Sequence, residues 1–331
     1  MTHLRNWLPA LVAIVATVAI VLTAPPERAA GTTALSAIGD QQLRIMAPAA
    51  PGGGWDQTSR AIQESLRPLV GRSEVYNVAG AGGTIGLSQF VRFHGDPSQL
   101  MTTGLIMVGA VVANHSPYSL DDTTPLVRLT TDYQVVVVTK DSNLRSLEDV
   151  AAAMRADLPA VSVAGGSAGG AEQILAGLMA QAVGTDPAGL SYVAHSGGGE
   201  MLSTLLSGRS TIAISGVSEI APQIESGQVR ALAVSSPERL PGLPDVPTMR
   251  EAGMDVELQN WRGMVAPKGI TAEQEQALET VLVDMTETEE WQDILKDRGW
   301  GEATLAGAEF ETFVQAEQAR VKQVLDEIGL G

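Results

Sequence analysis

From Leu43 onward the chain repeats one pattern: a short apolar run, a glycine-rich loop, then a stretch with apolar residues at helical spacing. The first unit runs LRIMAPA (43–49), then Pro51-Gly52-Gly53-Gly54-Trp55-Asp56, then a helix expected from Gln57 to Val70. Its apolar positions Ala61, Ile62, Leu66 and Leu69 fall on one face. EVYNV (74–78) leads into Ala79-Gly80-Ala81-Gly82-Gly83, and LMTTGLIMV (100–108) into Gly109. QVVVVTK (134–140) reads as a buried strand, and Ser146 with Asp149 as a helix start of the capping-box kind. The pattern then resumes through 165–170, His195 to Gly199 and Gly216 to Ser218, and VRALAVS (229–235) reads as the closing strand. Strands alternating with helices predict an α/β chain with a mainly parallel sheet.

Two clusters of glycine loops, near 51–83 and 165–218, predict two sheets. One domain is expected over 42–140 plus 257–331, carrying two C-terminal helices at about 271–297 and 306–328. The other is expected over 141–256, with the proline-rich segment 237–247 as the return crossing. Ligands in such folds sit at the carboxyl ends of the strands, where the loops lie. Two facing sheets would direct both clusters at one ligand.

The N-terminus bears on location. His3 and Arg5 precede an apolar run from Leu8 to Ala24, followed by Pro25, Pro26 and small residues to Gly31. That order is an export signal over 1–30, either cleaved or kept as an anchor, and it places the body outside the cytoplasm. The chain has 38 acidic against 21 basic residues, a formal charge of −17, which excludes a nucleic-acid partner. With no cysteine, disulfides and thiolate chemistry are excluded.

Enzyme motifs fail on inspection. A phosphate loop needs Gly-Lys-Ser/Thr, whereas the loop at 51–56 ends in Trp55-Asp56 and that at 165–170 in Gly169-Gly170. A dinucleotide fingerprint fails at Ile85, which stands where the third glycine is required. His195 beside Ser196 lacks the elbow of a nucleophile, and the four histidines have no metal-ligand spacing. No catalytic set, cofactor or metal is expected. The loops can instead present backbone N–H groups at helix N-termini, a seat for a carboxylate that needs no cluster of basic side chains. Asp56 is expected to cap the following helix, with a secondary role in ordering bound water. Trp55 is read either as a wall of the cleft or as packing between domains. Arg60 and Arg262 could each meet a second ligand carboxylate, and His195 could touch the ligand.

The segments APGGGWDQTSR (50–60), NVAGAGGTIG (77–86), GLPDVPTMREAGMDVE (242–257), NWRGMVAPKGI (260–270) and AGAEFETFVQAEQARV (306–321) resemble the substrate-binding proteins of tripartite tricarboxylate transporters, the Bug family. The resemblance implies a two-domain, type II periplasmic-binding-protein-like fold closing over one ligand in the cleft between its domains. It implies a monomeric receptor for a small organic carboxylate, with a large and a small integral-membrane subunit as partners. Sensing through a signalling receptor is the alternative role. Carried onto this chain, it marks Gly52, Gly53, Trp55 and Asp56 on one side of the ligand. Ser167, Ala168, Gly169, His195, Ser196, Gly197, Ser215 and Gly216 stand on the other.

Overall fold

The computed structural model describes residues 36–37, 41–195 and 198–331. The N-terminal export segment therefore lies outside the described residues, as do Ser196 and Gly197. The first units fold as read: β1 (Arg44–Ala47), α1 (Gly54–Val70), β2 (Glu74–Asn77), α2 (Thr84–Phe90), β3 (Gln99–Gly104) and α3 (Leu105–Ala113). β2, β1 and β3 lie side by side in parallel. Helix α1 buries Ala61, Ile62, Leu66 and Val70 on one face, and Gly71 ends it with a positive φ of 73°. It starts at Gly54, earlier than the apolar spacing indicates, because Gly53 takes the extended N-cap conformation.

The strand read at 134–140 is the second part of a longer one. β4 (Thr123–Thr139) is 17 residues long. Its first part pairs antiparallel with β9 (Gln259–Pro267) and β10 (Gly301–Ala306). From Gln134 its partners become β7 (Ile212–Gly216) and β8 (Val229–Val234), again antiparallel. The earlier part escapes an apolar search because it is rich in threonine; Thr130 and Thr131 are buried, and Thr130 is satisfied by the Gly301 carbonyl at 2.8 Å.

Between the two passes lie α4 (Leu147–Ala156), β5 (Val163–Gly165), α5 (Ala171–Ala182), β6 (Tyr192–Ala194), α6 (Gly198–Leu206) and α7 (Val217–Glu225). Ser146 and Asp149 form the expected capping box on α4. β7, β5 and β6 are parallel. All ten strands form one path, β2-β1-β3-β9-β4-β7-β5-β6, with β8 and β10 added on β4. The expectation of a mainly parallel arrangement in two separate sheets is thus corrected. The sheet is mixed, and its two halves are joined through β4, because β9 and β4 return the chain antiparallel between the parallel blocks.

The C-terminal part holds α8 (Ala272–Thr286), α9 (Glu289–Arg298) and α10 (Gly307–Glu327). One helix was expected over 271–297. Thr288 divides it, its hydroxyl accepting from the Trp291 N–H to start α9. Helix α10 packs on β4 and α3 but also on α5 of the second half. There, Val324 and Ile328 close on Gly177, where an added Cβ would meet each at 3.1 Å. At its other end Phe310 and Phe313 stand edge-on to buried Trp261, with ring centroids 5.7 and 5.4 Å away. The helix thus ties both halves together. Among the described residues no helix is long and apolar enough to cross a membrane.

Candidate functional site

A cleft opens where the two halves face each other. It has an outer cavity of ≈ 670 Å³ and an inner one of ≈ 250 Å³, which share Gly54, Glu219 and Arg262. These volumes suit a small molecule.

One wall is the loop before α1. Gly52, Gly53 and Gly54 line the outer cavity. The first turn of α1 has no side-chain cap, so its leading N–H groups remain open to an acceptor. Asp56 lies behind this loop, 3 % exposed. Its carboxylate accepts from the Gly52 N–H at 2.8 Å, from Arg60 Nε at 3.1 Å and from Asn77 Nδ2 at 2.8 Å. Burial alone would raise its pKa; the bonds from Arg60, Gly52 and Asn77 outweigh that and hold it at about 2. The expected capping role is therefore corrected. Asp56 sits inside the first turn and fastens the loop from behind, while Arg60 is committed to Asp56 and Asn77.

Trp55 borders the cleft. It is 7 % exposed, lines the inner cavity and packs against the loop at 80–83. That loop needs its glycines: Gly82 and Gly83 have φ of 60° and 93°, and a Cβ at Gly83 would meet the Trp55 ring at 2.6 Å.

The floor is built by β4 and β9. Arg262, 6 % exposed, donates to Thr58 Oγ1 at 3.1 Å and lies 4.0 Å from the Asp132 carboxylate. Burial lowers its pKa, and Asp132 and Glu219 oppose that. Trp300 stands between Arg262 and Arg298, 4.9 and 5.1 Å from their guanidinium carbons. Arg298 lines the outer cavity and donates to Gln57 Oε1 at 2.8 Å. Gln134, fully buried and lining the inner cavity, has no partner for either side-chain Oε1 or Nε2.

The opposite wall comes from the second half. Ser215 and Ser218 face the outer cavity and Gly216 the inner one. Ser218 donates to Asp132 Oδ2 at 2.8 Å, and the Tyr133 N–H to Oδ1 at 2.8 Å. Burial raises the Asp132 pKa, against the pull of Arg262 and these two bonds. Glu219 reaches both cavities, and Glu172 lines the inner one. Burial raises both, taking Glu172 to about 7, with Glu219 and Asp132 adding to the effect on Glu172.

Of the residues picked from the sequence, Gly52, Gly53, Trp55, Ser215 and Gly216 reach the cleft, and Arg262 joins them. His195 does not line either cavity. Its ring nitrogens are tied to the Gly165 carbonyl at 3.0 Å and to Thr204 Oγ1 at 2.8 Å, beside a separate surface hollow. Ser167, Ala168 and Gly169 also line neither cavity. Gly169 is turned to α3, where its carbonyl abuts Gly109 so closely that neither position has room for a side chain. Glu172, Glu219, Gln134 and Arg298 went unmarked. An acid in the first turn of a helix reads as a complement to the helix dipole, so Glu172 and Glu219 blend into the pattern. Gln134, a lone amide opening a valine run, was the one legible signal.

With this geometry in place, comparison identifies the relatives. The family model described as the tripartite tricarboxylate transporter family receptor matches residues 58–330. The chain belongs to this family. Protein BugT of Bordetella pertussis is 30% identical over 234 residues, covering 69% of this chain and 71% of BugT. The UPF0065 protein in the tcbD-tcbE intergenic region of Pseudomonas sp. strain P51 is 30% identical over 262 residues, covering 77% of this chain and 76% of that protein. Among solved structures, R. palustris Rpa4515 with adipate superposes with a TM-score of 0.73 at 25% identity, covering 87% of this chain and 97% of that one. Periplasmic binding protein BugD superposes at 0.72 and 24% identity, covering 87% of this chain and 98% of that one. The two-domain α/β solute-binding fold is therefore this chain's fold, and the protein is a Bug-type solute-binding receptor, not an enzyme.

Proposed function

We propose that this receptor captures a small organic carboxylate in the cleft, outside the cytoplasm, and delivers it to the two membrane subunits of a tripartite transporter. One observation carries the carboxylate reading: the uncapped first turn of α1 and the Arg262 guanidinium face the same cavity. Unpaired amides at a helix start and a guanidinium are both strong donors to a carboxylate. Rpa4515 was solved with adipate, and MatC of Rhodopseudomonas palustris with malate, which agrees with this chemistry. The loop of Gly52 and Gly53 presents the open start of α1 to the acid, Ser215 and Gly216 complete the grip from the opposite side, Trp55 is its wall and Asp56 its brace.

In this reading the lobes are 42–140 with 257–331 and 141–256, and the change of pairing partners along β4 at Tyr133–Gln134 supports a crossing there. Closure of these lobes would sequester the acid. A thermal-shift screen of the purified receptor tests the reading: short mono-, di- and tricarboxylates should raise the melting temperature by mass action, and Arg262→Met should remove the rise. Stabilisation by neutral sugars alone would refute it. Uptake of the stabilising acid by cells carrying both membrane subunits should require this chain.

A further inference from the structure

The cleft of a carboxylate receptor is expected to be positive, yet the inner cavity here is lined by two carboxylates, Glu172 and Glu219. Arg262 does not neutralise both. It is shared between Asp132, 4.0 Å away, and Glu219, and Asp132 is already held by Ser218 and the Tyr133 N–H. Among the described residues, no lysine, arginine or histidine pairs with Glu172. Its carboxylate accepts from its own backbone N–H. Its carboxylate lies over the 165–170 loop, where a side chain on Gly166 would begin 2.9 Å from Oε2.

The same cavity holds a second unmet demand. The Gln134 amide is fully buried, with both its donor and its acceptor unpartnered. Such a group costs free energy unless something entering the cavity bonds to it. A molecule presenting a donor and an acceptor side by side would satisfy it.

We infer, building on the carboxylate reading, that the captured acid also carries an amine, with its ammonium against Glu172 and Glu219 and its carboxylate toward Gly53, Gly54 and Arg262. Gln134 bridges the two ends, its oxygen accepting from the ammonium and its nitrogen donating to the carboxylate. Glu172 keeps its negative charge in the complex because the ammonium supplies the missing cation. An amine-free diacid would place a second carboxylate against Glu172 and Glu219 instead.

Matched pairs of ligands differing only in the amine test this by isothermal titration at pH 8: succinate and aspartate, glutarate and glutamate, adipate and 2-aminoadipate, 3-phenylpropionate and phenylalanine. In at least one pair the amine-bearing member should bind ~10-fold tighter or better, the scale of one charge-assisted hydrogen bond. Glu172→Gln should bring that pair to within ~3-fold, chiefly by weakening the amine-bearing member. Glu219→Gln should narrow the gap in the same direction, and serves as the test if Glu172→Gln fails to show a native melting transition. Amine-free members binding as tightly as their partners would overturn the inference and leave the carboxylate reading standing. Binding by no member of any pair would overturn both.

Discussion

The two walls of the cleft use the same local device to opposite electrical effect. Each is a strand, a glycine loop and the start of a helix. At the 52–56 loop the acid, Asp56, is turned behind the backbone and consumed by Gly52, Arg60 and Asn77, and the first turn of α1 is left without a side-chain cap. In the first turns of α5 and α7 the acids, Glu172 and Glu219, are turned into the cavity. One residue type near a helix start thus builds an anion seat on one side and a cation seat on the other. The sign is set by where the carboxylate points.

The largest expected effect comes from forcing the walls apart. Gly109 of α3 abuts the Gly169 carbonyl, so Gly109→Val must displace one half from the other. The variant should lose several kcal/mol of stability, as overpacking does at about 1–3 kcal/mol and backbone collision at more. Denaturant unfolding measures this, and ligand affinity should fall with it. An unchanged midpoint would mean that the two halves slide freely here.

Asp56→Ala should come next, at about 3 kcal/mol, because it removes the acceptor of the Gly52 N–H and of one Asn77 amide donor, the other staying on the Ala49 carbonyl, and leaves Arg60 without its carboxylate. It should also weaken carboxylate binding by loosening the loop, with no matching loss at the acidic wall. The native protein carries the same information in its acid limb. The Asp56 pKa is held at about 2, below its ordinary 3.8. Its contribution to stability is therefore complete above pH ~4 and lost as the pH falls through ~2. In the Asp56→Ala variant this part of the acid unfolding profile should be absent.

Gln134→Leu should act in the opposite sense on the two readouts. Removing a buried, unpartnered amide should stabilise the ligand-free protein by about 1 kcal/mol, while ligand affinity drops. A gain in both would show that Gln134 takes no part in binding. His195→Ala should have the smallest effect on affinity, under ~3-fold, since its ring is engaged with Gly165 and Thr204 outside the cleft. Its cost should be to stability, at about 1 kcal/mol.

Much of the fold was legible because its signals are local. Apolar spacing marked α1, the Ser146–Asp149 pair marked α4, and the glycines after β1, β5 and β7 marked the loops that reach or flank the cleft. The first part of β4 was hidden, because Thr130 is buried through a hydrogen bond to Gly301 and not through an apolar side chain. Strand β10 was hidden too, being defined by its pairing with β4. Of the residues read from the loops, Gly52, Gly53, Trp55, Ser215 and Gly216 line the cleft. His195 was drawn in by chemistry that its own neighbours absorb.

The sequence by itself determined an α/β chain with glycine loops and an overall acidic charge, since periodicity, turn residues and composition need no partner to be read; the receptor reading came from its resemblance to the Bug family. Tertiary structure alone decided which way each carboxylate points, that Arg262 and Arg298 flank Trp300 beside the cavity, and that Gln134 is left unsatisfied inside it. These depend on β4 passing through both halves and bringing residues 54, 134, 172, 219 and 262 to one cavity, a contact between distant segments that no local pattern encodes.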